Sequence, residues 1–191
     1  KTLDFTEVGG SDETLDANGK QHSVMFQAGQ CRVVASEPRG IGGRAWRYLR
    51  KHPEGVGTLV FRVEDIQTTF DILERRGGTP MANIRWEPLA DGTRFGHFSI
   101  TTPFGDTTFR FVERESRKMP YPGFKPYSRM RGGTNRFQVS HFDHITGNFP
   151  TIQPVVLWLE HVLGFQRYWA PARPTNEFKR PQKNTSGLKS V

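Results

Sequence analysis

The side chains able to do acid–base or ligand chemistry are few and scattered. The six histidines are His22, His52, His97, His141, His144 and His161. His141 and His144 are three residues apart. On a helix that spacing would put both rings on one face; on a strand it puts them on opposite faces. The alternation around them predicts a strand over residues 138–146, so the two should not chelate one metal ion. His144 follows Asp143 and leads into Gly147-Asn148, at the end of that strand and ahead of a helix. Spacing alone leaves it open whether His144 is a hydrogen-bonded histidine or a ligand. No HExxH, GxSxG or P-loop spacing occurs. Gly40-Ile41-Gly42-Gly43 is glycine-rich but lacks the lysine that would cradle a phosphate. Cys31 is the only cysteine, which excludes an intramolecular disulfide and a cysteine-based zinc cluster. It reads as a small apolar strand residue.

The elements that must position these groups follow from periodicity. Residues 1–8 read as a strand, and 9–20 as a polar, turn-rich stretch. Residues 22–28 and 31–36 read as a hairpin around Gly29-Gln30. A short helix is expected over 44–52 and an apolar strand over 57–63. Ile66, Phe70 and Leu73 give 64–76 helical spacing, stopped by Gly77-Gly78. Three strands, 84–88, 95–101 and 107–112, then form a meander. Beyond it come the strand 138–146, an amphipathic helix over 151–163 closed by Gly164, and apolar strands at 165–169 and 188–191. These elements define an α+β chain with a module at 1–115, a basic linker at 116–136 and the opening of a second module at 137–191.

The chain has 191 residues and a net charge of +8, with 12% aromatic residues. That aromatic content argues against a wholly disordered chain. No apolar run approaches the roughly 20 residues of a membrane span. Lys1-Thr2-Leu3-Asp4-Phe5 has no apolar stretch of the kind a signal peptide carries. A reducing, cytoplasmic setting fits the single cysteine. The positive charge is concentrated. Residues 110–136 carry eight Lys or Arg against Glu113 and Glu115, and 166–191 carry six against Glu177. Both stretches are rich in Pro and Gly, and no recognition helix, aromatic RNA-binding strand or zinc motif accompanies them. Solvated connecting segments are therefore expected rather than a nucleic-acid surface.

A short internal likeness links Leu3-Asp4-Phe5-Thr6 to Phe142-Asp143-His144-Ile145 and suggests a duplication. Longer motifs point outward. Phe142-Asp143-His144-Ile145-Thr146-Gly147-Asn148-Phe149-Pro150 resembles the Asp-His-x-x-Gly-Asn-x-Pro motif of the 4-hydroxyphenylpyruvate dioxygenases. Gly164-Phe165-Gln166-Arg167-Tyr168-Trp169 and Ser186-Gly187-Leu188-Lys189-Ser190-Val191 resemble later motifs of that family. Residues 21–36, 51–61 and 121–127 resemble its first half.

The resemblance implies paired βαβββ modules of the vicinal oxygen chelate type, with the second module incomplete in this chain. It implies Fe(II) held by two His and one Glu, a facial triad with open positions. His144 would be the first ligand and Ser190 a substrate-contacting residue. The other two ligands would lie beyond Val191, so these 191 residues would be inactive alone. By the internal likeness, Phe5, Thr58 and Phe111 would stand at the ligand positions of the first module and leave it metal-free. The helix that the fold places after its first strand is expected to be missing after Val8. The implied reaction converts 4-hydroxyphenylpyruvate and O2 to homogentisate and CO2, in tyrosine catabolism. The expected partners are that 2-oxo acid, O2 and further copies of the chain in a homo-oligomer, without a membrane. The alternatives are a related hydroxymandelate synthase and a metal-free fragment that binds a ligand or partner.

Overall fold

The computed structural model describes residues 2–89, 91–114 and 121–167. In chain order these form β1 (Thr6–Ser11), α1 (Glu13–Gly19), β2 (Gln21–Ala28), β3 (Cys31–Pro38), α2 (Arg44–Leu49), β4 (Thr58–Arg62), α3 (Ile66–Arg75), β5 (Arg85–Pro88), β6 (Arg94–Ile100), β7 (Thr108–Arg114), β8 (Phe124–Gly132) and α4 (Gln153–His161). Two compact units interleave along the chain. The first comprises the chain up to Gly57, with Trp86–Gly96 and Arg114–Ile145; the second comprises Thr58–Arg85, His97–Glu113 and the chain from Thr146. No described helix is long and apolar enough to cross a membrane.

The first sheet has the order β3-β2-β1-β8. Gly29-Gln30 closes the β2–β3 hairpin as expected, with Gln21 opposite Pro38 and Ala28 opposite Cys31. Gly29 has φ +56°, and a Cβ there would collide with the Val139 carbonyl, so only glycine fits the turn. Cys31, Met25 and Ala28 are buried at this end of the sheet. β1 is paired on both sides, antiparallel to β2 and to β8, with a bulge between Glu7 and Gly9. At Gly9 a Cβ would stand 2.7 Å from the Lys125 carbonyl, so the glycine lets β8 approach.

Several expectations are corrected here. The stretch 9–20, read as turns, contains β1's end and α1. Asp12 starts α1 by accepting from Leu15 N at 2.8 Å, and Lys20 ends it in the left-handed region at φ +49°. A short helix therefore follows β1, but it joins two antiparallel neighbours as a turn does; a crossover helix of the kind α3 provides is not found between β1 and β2. Part of the stretch 116–136, read as linker, forms β8. Its strand character was hidden because its partner lies more than a hundred residues away and its Lys, Arg and Pro residues resemble a loop. Residues 138–146 form no strand; Phe142 and Ile145 are exposed, and among the described residues no strand pairs with this stretch. Neither Leu3–Phe5 nor Phe142–Ile145 lies in a strand, so their likeness is not a repeat of strands.

The second sheet has the order β4-β7-β6-β5, with β4 parallel to β7. β4, α3, β5, β6 and β7 thus make one βαβββ module. Its core joins Ile66 and Leu73 of α3 to Phe98, Ile100, Phe109 and Phe111 of the sheet and to Val162 just after α4. Phe98 and Phe111 stack at 5.2 Å, and Phe61 stacks on Phe111 at 5.5 Å. Two carboxylates fix the start of α3. Asp65 accepts from Thr68 N at 2.9 Å, and Glu113 accepts from Ile66 N at 2.7 Å. Gly77, at φ +87°, ends that helix region as the sequence predicted. Of residues 137–191, the described part holds one helix, α4; the expected strand at 188–191 lies outside the described residues.

Ile66 is fully buried where α3 meets the sheet. Ile66→Ala should cost about 2–5 kcal/mol by transfer and cavity terms together. Urea denaturation followed by far-UV circular dichroism measures this; a loss under about 1 kcal/mol would sink the packing account.

Candidate functional site

The site begins with how the chain leaves β8. Gly132 and Gly133 turn the backbone back toward the residues before β1. Gly133 N donates to the Phe5 carbonyl at 3.1 Å, and Thr6 Oγ1 donates to the Gly133 carbonyl at 2.5 Å. The Asp4 carboxylate then receives three hydrogen bonds. They come from Arg136 N at 2.8 Å, Thr134 N at 3.1 Å and Thr134 Oγ1 at 3.3 Å. The Arg136 and Thr134 amides hold the Asp4 carboxyl below its ordinary value, against a small opposing effect of desolvation. Asn135 closes the next turn on Val139, and Gln30 N donates to the Ser140 carbonyl at 2.8 Å. The segment 133–140 is thereby tied to the first sheet at both ends.

His141 and His144 follow directly. His141 Nδ1 pairs with Ser140 Oγ at 2.7 Å. His144 Nδ1 lies 2.6 Å from Asp143 Oδ2. The hydrogen bond from His144 is the chief cause that lowers the Asp143 carboxyl, followed by the charges of His144 and His141. An ionised Asp143 requires a proton on Nδ1. In the neutral ring, Nε2 then carries the lone pair that a metal or an acid would use. The side chain is 73% exposed. Because this segment is not a strand, the opposite-face argument for His141 and His144 does not apply. Further on, a Cβ at Gly147 would lie 2.7 Å from the Phe149 ring, which meets Phe104 edge-on at 5.0 Å.

The remaining expected residues are dispersed. Ser190 and Tyr168-Trp169 lie outside the described residues. Phe5 precedes β1, Thr58 pairs with Thr108 at 3.2 Å, and Phe111 is buried in the second core. Among the described residues no group of three or more His, Cys, Asp or Glu could hold a metal ion. The second unit has an open apolar hollow of about 160 Å³ lined by Phe61, Leu73, Arg76, Phe111, Leu163 and Phe165, among others.

One cluster escaped sequence reasoning. His22 Nδ1 lies 2.7 Å from Asp16 Oδ2, and Ser11 donates to the other Asp16 oxygen. Burial would raise the Asp16 carboxyl, but the Ser11 and His22 hydrogen bonds outweigh it and the net shift is downward. Ser11 Oγ also accepts from Ser23 N at 2.8 Å, and Ser23 Oγ meets Ser36 Oγ at 2.7 Å. This network fastens α1 to the sheet. Its only sequence signal is Asp12 three residues before Leu15, which marks a helix start.

The fold is that of the vicinal oxygen chelate class: α+β units built on four-stranded sheets, one with the βαβββ order in full. The chain is similar over most of its length to proteins named 4-hydroxyphenylpyruvate dioxygenase. That of Caenorhabditis briggsae is 30% identical over 129 residues, covering 64% of this chain and 32% of the relative. That of Danio rerio is 29% identical over 173 residues, covering 84% of this chain and 40% of the relative. The chain spans about a third of the length of the curated relatives it matches. Among solved structures, a xylose isomerase-like TIM barrel/4-hydroxyphenylpyruvate dioxygenase fusion protein matches at a TM-score of 0.64 and 16% identity. That match covers 87% of this chain and 24% of the fusion protein. No family model matches.

Asp4 sets up a titration that can be read directly. Its folded value is depressed, so its contribution is complete above the unfolded value and is lost as pH falls through the lower folded one. The amide shifts of Thr134 and Arg136 should titrate with a midpoint below that of a free aspartate. A midpoint at or above the free value would show that the carboxylate does not clip this segment.

Proposed function

We propose that the chain forms part of a non-haem Fe(II) dioxygenase that converts 4-hydroxyphenylpyruvate and O2 to homogentisate and CO2. The observation that carries this reading is its similarity, over up to 84% of its residues, to proteins bearing that name. The donor chemistry of His144 suits it. An imidazole braced at Nδ1 by a carboxylate presents Nε2 to a metal in a fixed tautomer. His144 would hold iron through Nε2, with the other ligands supplied by polypeptide outside the described residues. Bound Fe(II) would supply the activation of O2 and the oxidation of the 2-oxo acid.

The chain's own residues have definite tasks in this reading. Asp143 keeps the His144 proton on Nδ1 and the ring turned outward. Asp4 and Gln30 fix the segment that leads to it. Ser190 would contact the substrate. The reaction would run in the cytoplasm, in tyrosine catabolism.

In the complete protein, His144→Ala should abolish both iron loading and homogentisate formation. Retained turnover would sink the ligand assignment. Asp143→Asn should weaken iron affinity by roughly 10–100-fold, the usual cost of losing a partner of a ligating histidine. Anaerobic titration with Fe(II) gives the affinity, independent of turnover.

A further inference from the structure

The open hollow of the second unit is walled by three parts of that unit. Thr69, Ile72, Leu73 and Arg76 come from one stripe of α3 and its C-terminal end, at i, i+3, i+4 and i+7. Phe61 of β4 and Phe111 of β7, stacked at 5.5 Å, present their rings from adjacent strands. Leu163 and Phe165 come from the chain just after α4. The space measures about 160 Å³. A cavity of about 150 Å³ lined by Leu, Ile and Phe takes up benzene, so this one suits a single aromatic ring.

The polar side chains of the lining are unequal. Thr69 Oγ1 already donates to the Asp65 carbonyl at 2.7 Å, inside its own helix. Arg76 is exposed, and among the described residues its guanidinium has no hydrogen bond or ion pair. No lining residue is acidic. Glu160 of α4 is taken by Arg167, at 2.6 Å. The place of the guanidinium is shaped by Gly164, where a Cβ would stand 2.8 Å from Arg76 Nη1. The glycine that follows α4 thus also leaves room for this cation beside the hollow.

We propose that this hollow binds a small aryl carboxylate, with the ring against Phe61, Leu73 and Phe111 and the carboxylate on the Arg76 guanidinium. Apolar walls with one placed polar group are the usual make-up of a small-molecule site. The planar fork of arginine matches a carboxylate through two parallel hydrogen bonds. Because the hollow is open and Arg76 is exposed, the anion keeps water on its outer side and its charge is not buried. The volume admits the ring and little more, which excludes a long acyl chain. The site shares no residue with the Asp143–His144 pair and stands independently of the iron assignment.

Phenylacetate is the probe and phenylacetamide its uncharged counterpart, with a chelator present so that no metal can capture the carboxylate. The methyl resonances of Ile72, Leu73 and Leu163 report occupancy, and those of Val24 and Val33 in the first unit serve as controls. Phenylacetate at millimolar concentration should shift the first set and leave the controls in place. It should bind roughly tenfold more tightly than the amide, the difference between a charged and a neutral hydrogen-bond acceptor. Arg76→Met keeps the aliphatic stem and should abolish that difference without changing the far-UV circular dichroism. Equal affinities of acid and amide for the unsubstituted protein overturn the proposal, a comparison that depends on no variant. So does the absence of shifts at the three methyl groups, which would show that the hollow is closed to a ring. A tenfold preference that survives Arg76→Met overturns it as well, since the carboxylate would then be held elsewhere.

Discussion

One carboxylate decides where the chain runs as it leaves β8. Asp4 sits before the first strand, yet it satisfies backbone donors 130 and 132 residues later. Those donors belong to a turn that would otherwise leave its amides to water. Because β1 is already paired on both sides, anchoring the turn to Asp4 ties it to the centre of the sheet rather than to an edge. Everything between Gly133 and Ser140 inherits that anchorage, and the Asp143–His144 pair begins three residues beyond it. The exposed imidazole therefore stands on a segment whose base is held by main-chain hydrogen bonds. Its orientation depends on a single neighbouring carboxylate.

The same anchorage explains the basic stretch. Its positive charge looks, in composition, like a nucleic-acid surface or a solvated linker. In the fold, Lys125, Arg129 and Arg131 ride on an edge strand, where charge and Pro126 keep the edge from pairing. Arg131 lies over Tyr127 at 5.3 Å, and Arg136 over Phe137 at 4.7 Å. Two cations of the basic stretch, Arg131 and Arg136, are thus engaged with aromatic faces of their own chain.

What the sequence disclosed was local. The β2–β3 hairpin, β4, α3 and the strands after it were legible because their signals lie within a dozen residues: a two-residue turn, a β-branched run, a 3.6-residue spacing. α1 was hidden because its seven residues are mostly polar, too few to show a helical apolar stripe, and Asp16 ties it to Ser11 and His22. β8 was hidden because a guarded edge strand has the composition of a loop. The stretch 138–146 misled in the opposite direction. It alternates like a strand, but alternation needs an adjacent edge, and turns at Asn135 and Gln138 take it away from one. His144 was legible only through its motif; its pairing with Asp143 is a contact between neighbours in sequence that spacing rules do not value.

Cys31 adds a property of its own. Its thiol is 2% exposed, at the end of the hairpin and beneath the segment that Gln30 holds. As the sole cysteine of the chain, it is shielded from bulky alkylating reagents while that corner stays shut. The speed of its modification therefore reports how often the first unit opens there, a built-in clock for local breathing that needs no engineered label.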